Sequence, residues 1–544
     1  MRFLHFEAAS GIYGRKLLPT VALAIAAVSC VETAGAQEPI PVTIAVSSVP
    51  RQTLKGIGAS EPLGNATVVG DPNNKVRDQL MDLTFGDLKM KAVRLWANLG
   101  PAYNHATPRV LVDPMDAAHI DASVKQFTDT YITSGYIDAL KKRGVTTFLL
   151  GPSYPTYQTS LPPDAYARRI AAFIKKMNDG ATDGDPATPG VQINATGLIN
   201  EPRAAWTPAM ILQGIQTLQT ELHRLGLDDV AVIGPETSNS DAGAVKTIQA
   251  LKNDAATWNN LSGIATHSYS MAANDEVASL VTGASGASTK DWWITEVGKV
   301  NAYGNDDVSS YEAPSSTSPL GTRAKDTTGK QGASLLAARF LNDMNHGVTH
   351  WIWFVAYGVK PLSDENNLPA DRDHDKDGGQ KLVHPTFDAQ SKAQGVLMRP
   401  KYWVFKQLRD AFPDGTVFRR AESSLDEDML YSYNKRAHVG AAAGKAPDGS
   451  WRIGVLNLTP VATDPTKITR PISYAAAPYA VTLKISDLST SGPVQFAVTR
   501  SQPNGEGAAA PAPTVTAVNG QITLTVQSQE LVTLSSTPVT SRIP

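Results

Sequence analysis

The sequence predicts an α/β protein in which a (β/α)8 TIM barrel precedes a C-terminal antiparallel β-sandwich domain. Three observations lead to this fold class. Eight short apolar runs, each bounded by turn residues, fall between residues 54 and 358. Most of them are separated by segments with helical periodicity. From about residue 416 the pattern changes to the two-residue alternation of antiparallel strands.

Each apolar run is predicted to form one barrel strand. Strands that alternate with helices pair in parallel through right-handed crossovers, and near-continuous apolar strands are buried on both faces. In chain order the runs are LKGIGASEP (54–62), AVRLWANLG (92–100), TTFLLGPS (146–153), TGLINEP (196–202), VAVIGPE (230–236), GIATHSY (263–269), WWITEV (292–297) and THWIWFVAYG (349–358). The alternative is an open doubly wound sheet, but the first run lacks the third glycine of a dinucleotide-binding turn.

The helices are predicted from apolar residues that recur every three to four positions. Clear examples are YARRIAAFIKKMND (166–179), ILQGIQTLQTELHRLG (211–226) and ASLLAARFLNDMNHG (333–347), the last of which ends at a glycine. We predict a barrel over 54–412, closed by the helix KYWVFKQLRDAF (401–412), and a sandwich over 413–544. The leader 37–53 contains a strand-like run and is predicted to join the sandwich.

Residues 1–36 are predicted to be a secretion signal peptide. A positively charged start precedes the apolar stretch LLPTVALAIAAVSC (17–30) and the small-residue cleavage site AGA (34–36). The alternative is a short membrane anchor, but the apolar stretch falls short of the roughly 20 residues that span a bilayer. The only cysteine, Cys30, lies in this segment, so the mature chain would carry no disulfide. We predict a secreted or periplasmic protein of bacterial origin.

The composition predicts an uncharged or weakly charged ligand. The 544-residue chain carries 49 basic and 51 acidic residues, a net charge of -2, which argues against a nucleic-acid partner. Nine Trp and sixteen Tyr supply flat apolar faces that suit sugar rings as well as protein cores. We expect a carbohydrate substrate, no membrane association after removal of the signal, and a monomer.

Polar side chains collect where the predicted strands end. Functional groups of such barrels lie at the carboxyl ends of the strands. In strand order these residues are Arg94, Tyr154, Asn200, Glu201, Glu236, His267, Tyr269, Glu296, Trp351 and Trp353. Since the strand bodies are apolar, we predict one site at this rim.

Glu201 and Glu296 predict glycoside hydrolysis. Cleavage of a glycosidic bond needs one carboxyl group to protonate the leaving oxygen and another, on the opposite face, to attack or to activate water. The fourth and seventh strands lie across the barrel mouth, where two carboxylates can approach to about 5–5.5 Å, the separation of a retaining mechanism. We predict that Glu201 is the acid/base and Glu296 the nucleophile.

The neighbouring residues are predicted to support this pair. Asn200 suits the sugar 2-hydroxyl, while Arg94 and Tyr269 can hydrogen-bond Glu296 and keep it ionised. Trp353 offers a stacking surface for the sugar, and Tyr154 is a further substrate contact.

Two rim residues have alternative interpretations. Glu236 is a rival for the catalytic carboxylate, but it lacks an Asn neighbour and an opposing position. A structural acid or a substrate contact is therefore favoured. His267 is either a zinc ligand or a hydrogen-bond partner near the nucleophile. The second interpretation is favoured because no other His or Cys lies at metal-ligand spacing.

The motifs NEP (200–202) and TE (295–296), in this eight-strand order, resemble those of clan A glycoside hydrolases. The barrel with its C-terminal sandwich most resembles glycoside hydrolase family 30, and KGIGASEP (55–62) is similar to that family's first-strand glycine motif. The resemblance implies a retaining glycosidase with Glu201 as acid/base and Glu296 as nucleophile. The related families 5, 39 and 79 remain alternatives.

An acidic stretch, DRDHDKDGGQ (371–380), resembles the first half of a calcium loop. Asp373, Asp375 and Asp377 lie at alternate positions before a glycine, but the twelfth position is His384 instead of Glu, which argues against an EF-hand. The stretch is therefore either a looser structural Ca²⁺ site or a solvated loop, and no organic cofactor is expected. Two rival functions remain: an inactive sugar-binding barrel, and a metal-dependent hydrolase that uses Glu201, Glu236 and His267.

Overall fold

A computed structural model describes sixteen stretches of the chain. They are 37–61, 75–99, 117–153, 162–182, 188–202, 206–269, 271, 273–283, 288–298, 330–358, 381–387, 393–425, 438–462, 473–489, 492–503 and 505–537. The predicted signal peptide (1–36), Tyr154 and the acidic stretch 371–380 lie outside the described residues. None of the described helices is long and apolar enough to cross a membrane.

The N-terminal region closes into a barrel of eight parallel strands. β1 (Ile40–Val46) precedes the barrel, and the barrel strands are β2 (Gly56–Ser60), β3 (Ala92–Asn98), β4 (Thr147–Ser153), β5 (Ala195–Thr196), β6 (Ala231–Thr237), β7 (Gly263–His267), β8 (Asp291–Val297) and β9 (His350–Trp353). They pair in chain order, and β2 closes the barrel against β9 from Gly56↔His350 to Ala59↔Trp353. The predicted barrel is confirmed, and the open doubly wound sheet is excluded.

Helices surround the barrel because their apolar stripes pack against its strands. They are α1 (Lys75–Met81), α2 (Ala117–Phe127), α3 (Tyr136–Lys142), α4 (Pro163–Asp179), α5 (Pro208–Arg224), α6 (Ala242–Asn253), α7 (Ala255–Asn260), α8 (Asn274–Val281), α9 (Lys330–His346) and α10 (Pro400–Ala411). Short π-helical segments, Asp82–Asp87 and Thr128–Ile132, continue α1 and α2. The caps follow the expected chemistry: Thr207 accepts a hydrogen bond from the Met210 amide at the start of α5.

The fourth barrel strand is much shorter than predicted. The run TGLINEP predicts a strand to its proline, but β5 ends at Thr196, and Asn200 and Glu201 lie in the segment that follows. Glu201 has a φ of 50°, in the left-handed region, so the extended conformation cannot continue through it. The chain therefore turns before the acid instead of delivering it from within a strand.

The C-terminal region contains two packed β-sheets. Its strands are β10 (Val383–Phe387), β11 (Ala393–Met398), β12 (Val417–Arg419), β13 (Ala421–Ser423), β14 (Val439–Lys445), β15 (Trp451–Asn457), β16 (Val461–Ala462), β17 (Ser473–Tyr474), β18 (Tyr479–Ile485), β19 (Val494–Arg500), β20 (Ala510–Ala517), β21 (Gln521–Val526) and β22 (Glu530–Ser536). One sheet has the order β12-β14-β15-β22-β19-β20 and the other the order β13-β1-β18-β21. Their inward apolar residues share one core, which confirms the predicted sandwich.

The leader strand β1 belongs to the second of these sheets. It pairs in parallel with β18, from Ile40↔Tyr479 to Val46↔Ile485, and antiparallel with β13. Val42, Ile44 and Val46 are buried at alternate positions, as expected for a strand with one face in a core. The predicted domain boundaries themselves remain predictions.

Helix α10 joins the barrel to the sandwich. The amide group of Gln407 donates to the carbonyl oxygens of Thr499 and Leu531 and to the hydroxyl of Thr533. Gly454 of β15 leaves no room for a side chain, because a Cβ there would lie 2.8 Å from Leu341 of α9. These contacts pack the sandwich against the barrel helices.

Candidate active site

Glu201 and Glu296 approach each other at the carboxyl ends of the barrel strands. A carboxylate oxygen of each and a ring nitrogen of His267 all lie within 4.8 Å of one another. The side chain of Glu201 is 28% exposed and that of Glu296 is 8% exposed. This proximity favours the retaining arrangement, in which the carboxyl groups are about 5–5.5 Å apart, over the inverting one, in which they are roughly 6.5–9.5 Å apart.

Arg94 connects three side-chain acceptors around this pair. Its guanidinium is fully buried. Nη1 donates to Oε2 of Glu296 at 2.9 Å, and Nη2 donates to Oδ1 of Asn200 at 2.7 Å and to Oε1 of Glu236 at 3.1 Å. The planar fork of an arginine suits such a role because its donors have fixed relative directions.

Glu296 accepts a hydrogen bond on each of its oxygens. Arg94 occupies Oε2, and the hydroxyl of Tyr269 donates to Oε1 at 2.6 Å, so both hydrogen bonds expected from the sequence are present. Burial, and then the negative charge of Glu296, raise the pKa of the Tyr269 hydroxyl well above its usual value. Tyr269 therefore remains a donor at neutral pH.

Glu201 has a different environment. Its Oε1 lies 3.0 Å from Nδ1 of His267, a fully buried side chain that lies 3.8 Å from Glu296. Glu201 is more exposed than Glu296, so a substrate oxygen or a water molecule can reach it. Its left-handed backbone costs about 1–2 kcal/mol, and its amide donates to the carbonyl of Glu236 at 3.1 Å. Strain of this kind is concentrated at functional sites.

Glu236 lies inside the protein, in contact with Arg94. It is fully buried, and its φ of 55° is also left-handed. Oε1 accepts from Arg94, while Oε2 has no hydrogen-bond partner in the described part of the chain. The sequence predicts either a structural acid or a substrate contact at this position. The carboxylate has no exposed surface in this structure, so its contact with substrate stays a prediction.

The remaining predicted site residues differ in exposure. Asn200 and Tyr269 are half-buried, whereas Trp351 and Trp353 are fully buried and lie 5.7 Å apart. A fully buried Trp353 offers no open face, so its stacking role stays a prediction. The role of Tyr154 also stays a prediction.

One aromatic residue near the site was missed in the sequence. The indole of Trp96 is half-buried and lies 4.3 Å from the guanidinium carbon of Arg94. Its Nε1 donates to the carbonyl of Glu61 at 3.2 Å, and Phe354 packs edge-on against the ring at 6.3 Å. Arg94 and Trp96 are two residues apart on β3 and so share one face of the strand. That spacing was the signal that could have identified Trp96.

Comparisons with known proteins give matches in structure only. No protein-family model matches the chain, and no curated protein does. The glycoside hydrolase family 30 subfamily 8 xylanase Xyn30A from Clostridium acetobutylicum is 15% identical, with a TM-score of 0.53 over 91% of this chain and 99% of its own. GH30 xylanase C from Talaromyces cellulolyticus is 13% identical, with a TM-score of 0.55 over 91% of this chain and 100% of its own. SrfJ from Salmonella typhimurium is 14% identical, with a TM-score of 0.57 over 91% of this chain and 92% of its own.

At these identities the likeness concerns the fold. It includes both the barrel and the sandwich, because the matches span nearly the whole of each chain. The resemblance to family 30 and other clan A glycoside hydrolases is therefore confirmed as a likeness of fold.

Proposed function

We propose that this chain is a secreted retaining glycoside hydrolase that cleaves β-O-glycosidic bonds of a polysaccharide or oligosaccharide by double displacement. The observation that carries the proposal is the pair Glu201 and Glu296, with carboxylate oxygens within 4.8 Å of each other in unlike surroundings. The named activities of the matching structures include xylanase and endo-β1,6-glucanase, which supports a carbohydrate substrate.

In the first step the Glu296 carboxylate attacks the anomeric carbon, and Glu201 gives its proton to the departing glycosidic oxygen. The products are a covalent glycosyl–enzyme ester and the leaving sugar alcohol. In the second step Glu201 takes a proton from water, the water oxygen attacks the anomeric carbon, and the bond to Glu296 breaks. Arg94 and Tyr269 stabilise the carboxylate that is consumed in the first step and formed again in the second.

Substitution of each glutamate tests these roles. Glu296→Ala should nearly abolish turnover, and azide should restore part of it by attacking from the vacated side, which yields an α-glycosyl azide. Glu201→Ala should slow natural substrates by roughly 10²–10⁴-fold and aryl glycosides with good leaving groups far less. Azide should then capture the glycosyl–enzyme and yield a β-glycosyl azide.

The matched control is Glu422→Ala, since Glu422 lies in the sandwich with a side chain that is 72% exposed. This variant should keep wild-type kinetics. Wild-type turnover of the natural substrate by both Glu201→Ala and Glu296→Ala would refute the proposal. If wild type and Glu296→Gln bind sugar with the same affinity and neither shows turnover, the protein is instead an inactive sugar-binding barrel.

A metal-dependent hydrolase is the second candidate, because Glu201, His267 and Glu296 bring three donor atoms within 4.8 Å of one another. This set differs from the one predicted from sequence, since it contains Glu296 in place of Glu236. Double displacement is favoured because Arg94 and Tyr269 already occupy both oxygens of Glu296, and a buried guanidinium opposes a second cation nearby.

A further inference from the structure

Glu236 is a buried carboxylate that the double displacement does not use. It shares one guanidinium with the proposed nucleophile: Arg94 donates through Nη2 to Glu236 at 3.1 Å and through Nη1 to Glu296 at 2.9 Å. Both Arg94 and Glu236 are fully buried. The Glu236 side chain therefore has no exposed surface, while its contact with Arg94 is direct.

Stabilisation of the fold does not explain why a glutamate occupies position 236. A buried carboxylate oxygen without a partner carries an uncompensated desolvation cost, and Oε2 has none among the described residues. The left-handed backbone of Glu236 adds strain. Two unfavourable features at one residue, next to a site, indicate a role in function.

We propose that Glu236 is a positioning residue that acts through Arg94 on Glu296; this inference rests on the proposed function. Glu236 and Asn200 accept from the Nη2 side of the guanidinium. Because the guanidinium is planar and rigid, acceptors that fix its Nη2 side also fix the direction of Nη1. Nη1 then meets Oε2 of Glu296 and leaves Oε1 to Tyr269. Without Glu236, only Asn200 still holds the Nη2 side, and the guanidinium can rotate away from the nucleophile.

Gly197 provides the space that the Glu236 carboxylate occupies. A Cβ at Gly197 would lie 2.0 Å from Oε2 and 2.5 Å from Cδ of Glu236. Such distances are far below a van der Waals contact, so an alanine at position 197 and the present Glu236 carboxylate exclude each other. Gly197→Ala thus displaces the Glu236 carboxylate, although no residue whose side chain contacts Arg94 or substrate is itself substituted.

The test compares Glu236→Gln, Glu236→Ala and Gly197→Ala. The substrate is whichever aryl β-glycoside, from a panel of xylosides and glucosides, the wild type hydrolyses fastest. Glu236→Ala and Gly197→Ala should each lower kcat roughly 10- to 100-fold, the effect of losing one buried hydrogen bond to a charged group. KM should change less than about threefold, because neither residue meets the sugar. Glu236→Gln should retain more activity, since its amide oxygen can still accept from Arg94.

The double variant Gly197→Ala/Glu236→Ala adds a second criterion. Its kcat should equal that of Glu236→Ala, because the new methyl group fills the space that the carboxylate leaves. Gly440→Ala is the matched control, since a Cβ at Gly440 of β14 meets no atom within 4 Å. Active-site titration with a 2-deoxy-2-fluoro glycoside counts the functional active sites in each preparation. It therefore distinguishes a lower kcat per site from a smaller fraction of folded enzyme.

Crystal structures of wild type and Glu236→Ala provide a readout besides activity. We expect the Nη1–Oε2 distance between Arg94 and Glu296 to lengthen in the variant. The inference would be overturned by an unchanged kcat in Glu236→Gln, Glu236→Ala and Gly197→Ala. If Glu296→Ala is inactive in the same assay, the proposed function remains intact. Full activity of Glu296→Ala would refute the proposed function itself.

Discussion

Acidification should destabilise the fold through His350, the first residue of β9. Its ring stacks on Trp293 with centroids 3.5 Å apart and planes 8° apart, and Nδ1 lies 3.0 Å from the hydroxyl of Thr349. Burial, and then the charge of Lys55, lower the pKa of His350 to about 3. The folded state therefore keeps the ring neutral at pH values where an unfolded chain protonates it.

The sign and size of the effect follow from this difference. Unfolded histidine has a pKa of about 6.5, so between pH 6.5 and 3 the unfolded state binds more protons and the free energy of unfolding falls as pH falls. At pH 5, which is 1.5 units below the unfolded pKa, the loss is RT ln(1 + 10^1.5), or about 2 kcal/mol. At pH 7.5 it is close to zero. The folded pKa has little influence on this figure, because it lies well below pH 5.

Urea unfolding of wild type and His350→Phe at pH 7.5 and 5.0 measures the effect. Phenylalanine keeps a stacking ring but cannot bind a proton, so wild type should lose about 2 kcal/mol more than the variant between the two pH values. The carboxylates titrate in both proteins and cancel in the comparison. His223→Phe is the control: His223 is exposed, and its hydrogen bond to Asp228 raises the pKa, so its pH effect has the opposite sign. Equal losses in wild type and His350→Phe would refute the reasoning.

Two further predictions concern the site and metals. Tyr269→Phe removes the donor at 2.6 Å from Glu296 and should lower kcat/KM roughly 10- to 100-fold in steady-state assays. The control is Tyr402→Phe, which removes a hydrogen bond from a tyrosine hydroxyl to Asp87 on the barrel exterior and should leave kcat/KM unchanged. Exhaustive dialysis against EDTA should leave turnover unchanged, whereas a loss that Zn²⁺ restores would favour the metal-dependent hydrolase. If the stretch 371–380 holds structural Ca²⁺, a concentration of 100 times Kd should raise the free energy of unfolding by about 2.7 kcal/mol, and Asp375→Asn should remove that rise. An unchanged melting temperature in Ca²⁺ would identify the stretch as a solvated loop.

The barrel and the sandwich could be predicted from sequence because their patterns are local. Apolar runs of strand length, three- to four-residue periodicity and period-two alternation depend only on neighbouring residues. Strand β5 departs from its pattern, because it ends at Thr196 and Glu201 follows with a left-handed backbone. The amide of Glu201 donates to the carbonyl of Glu236, which comes from another strand.

The placement of Glu201 and Glu296 at one rim was determined by the sequence, since a parallel barrel brings the carboxyl ends of all its strands to that rim. The sequence also predicted Arg94 and Tyr269 as partners of Glu296. The partner of Glu201 and the further contacts of Arg94 were decided only by tertiary structure. Arg94 meets Asn200, Glu236 and Glu296 across the barrel, and the absence of a side chain at Gly197 admits the Glu236 carboxylate. Orientation and burial of this kind depend on side chains from strands far apart in the chain. Periodicity places such residues at the same rim, but close packing in three dimensions selects which of them touch.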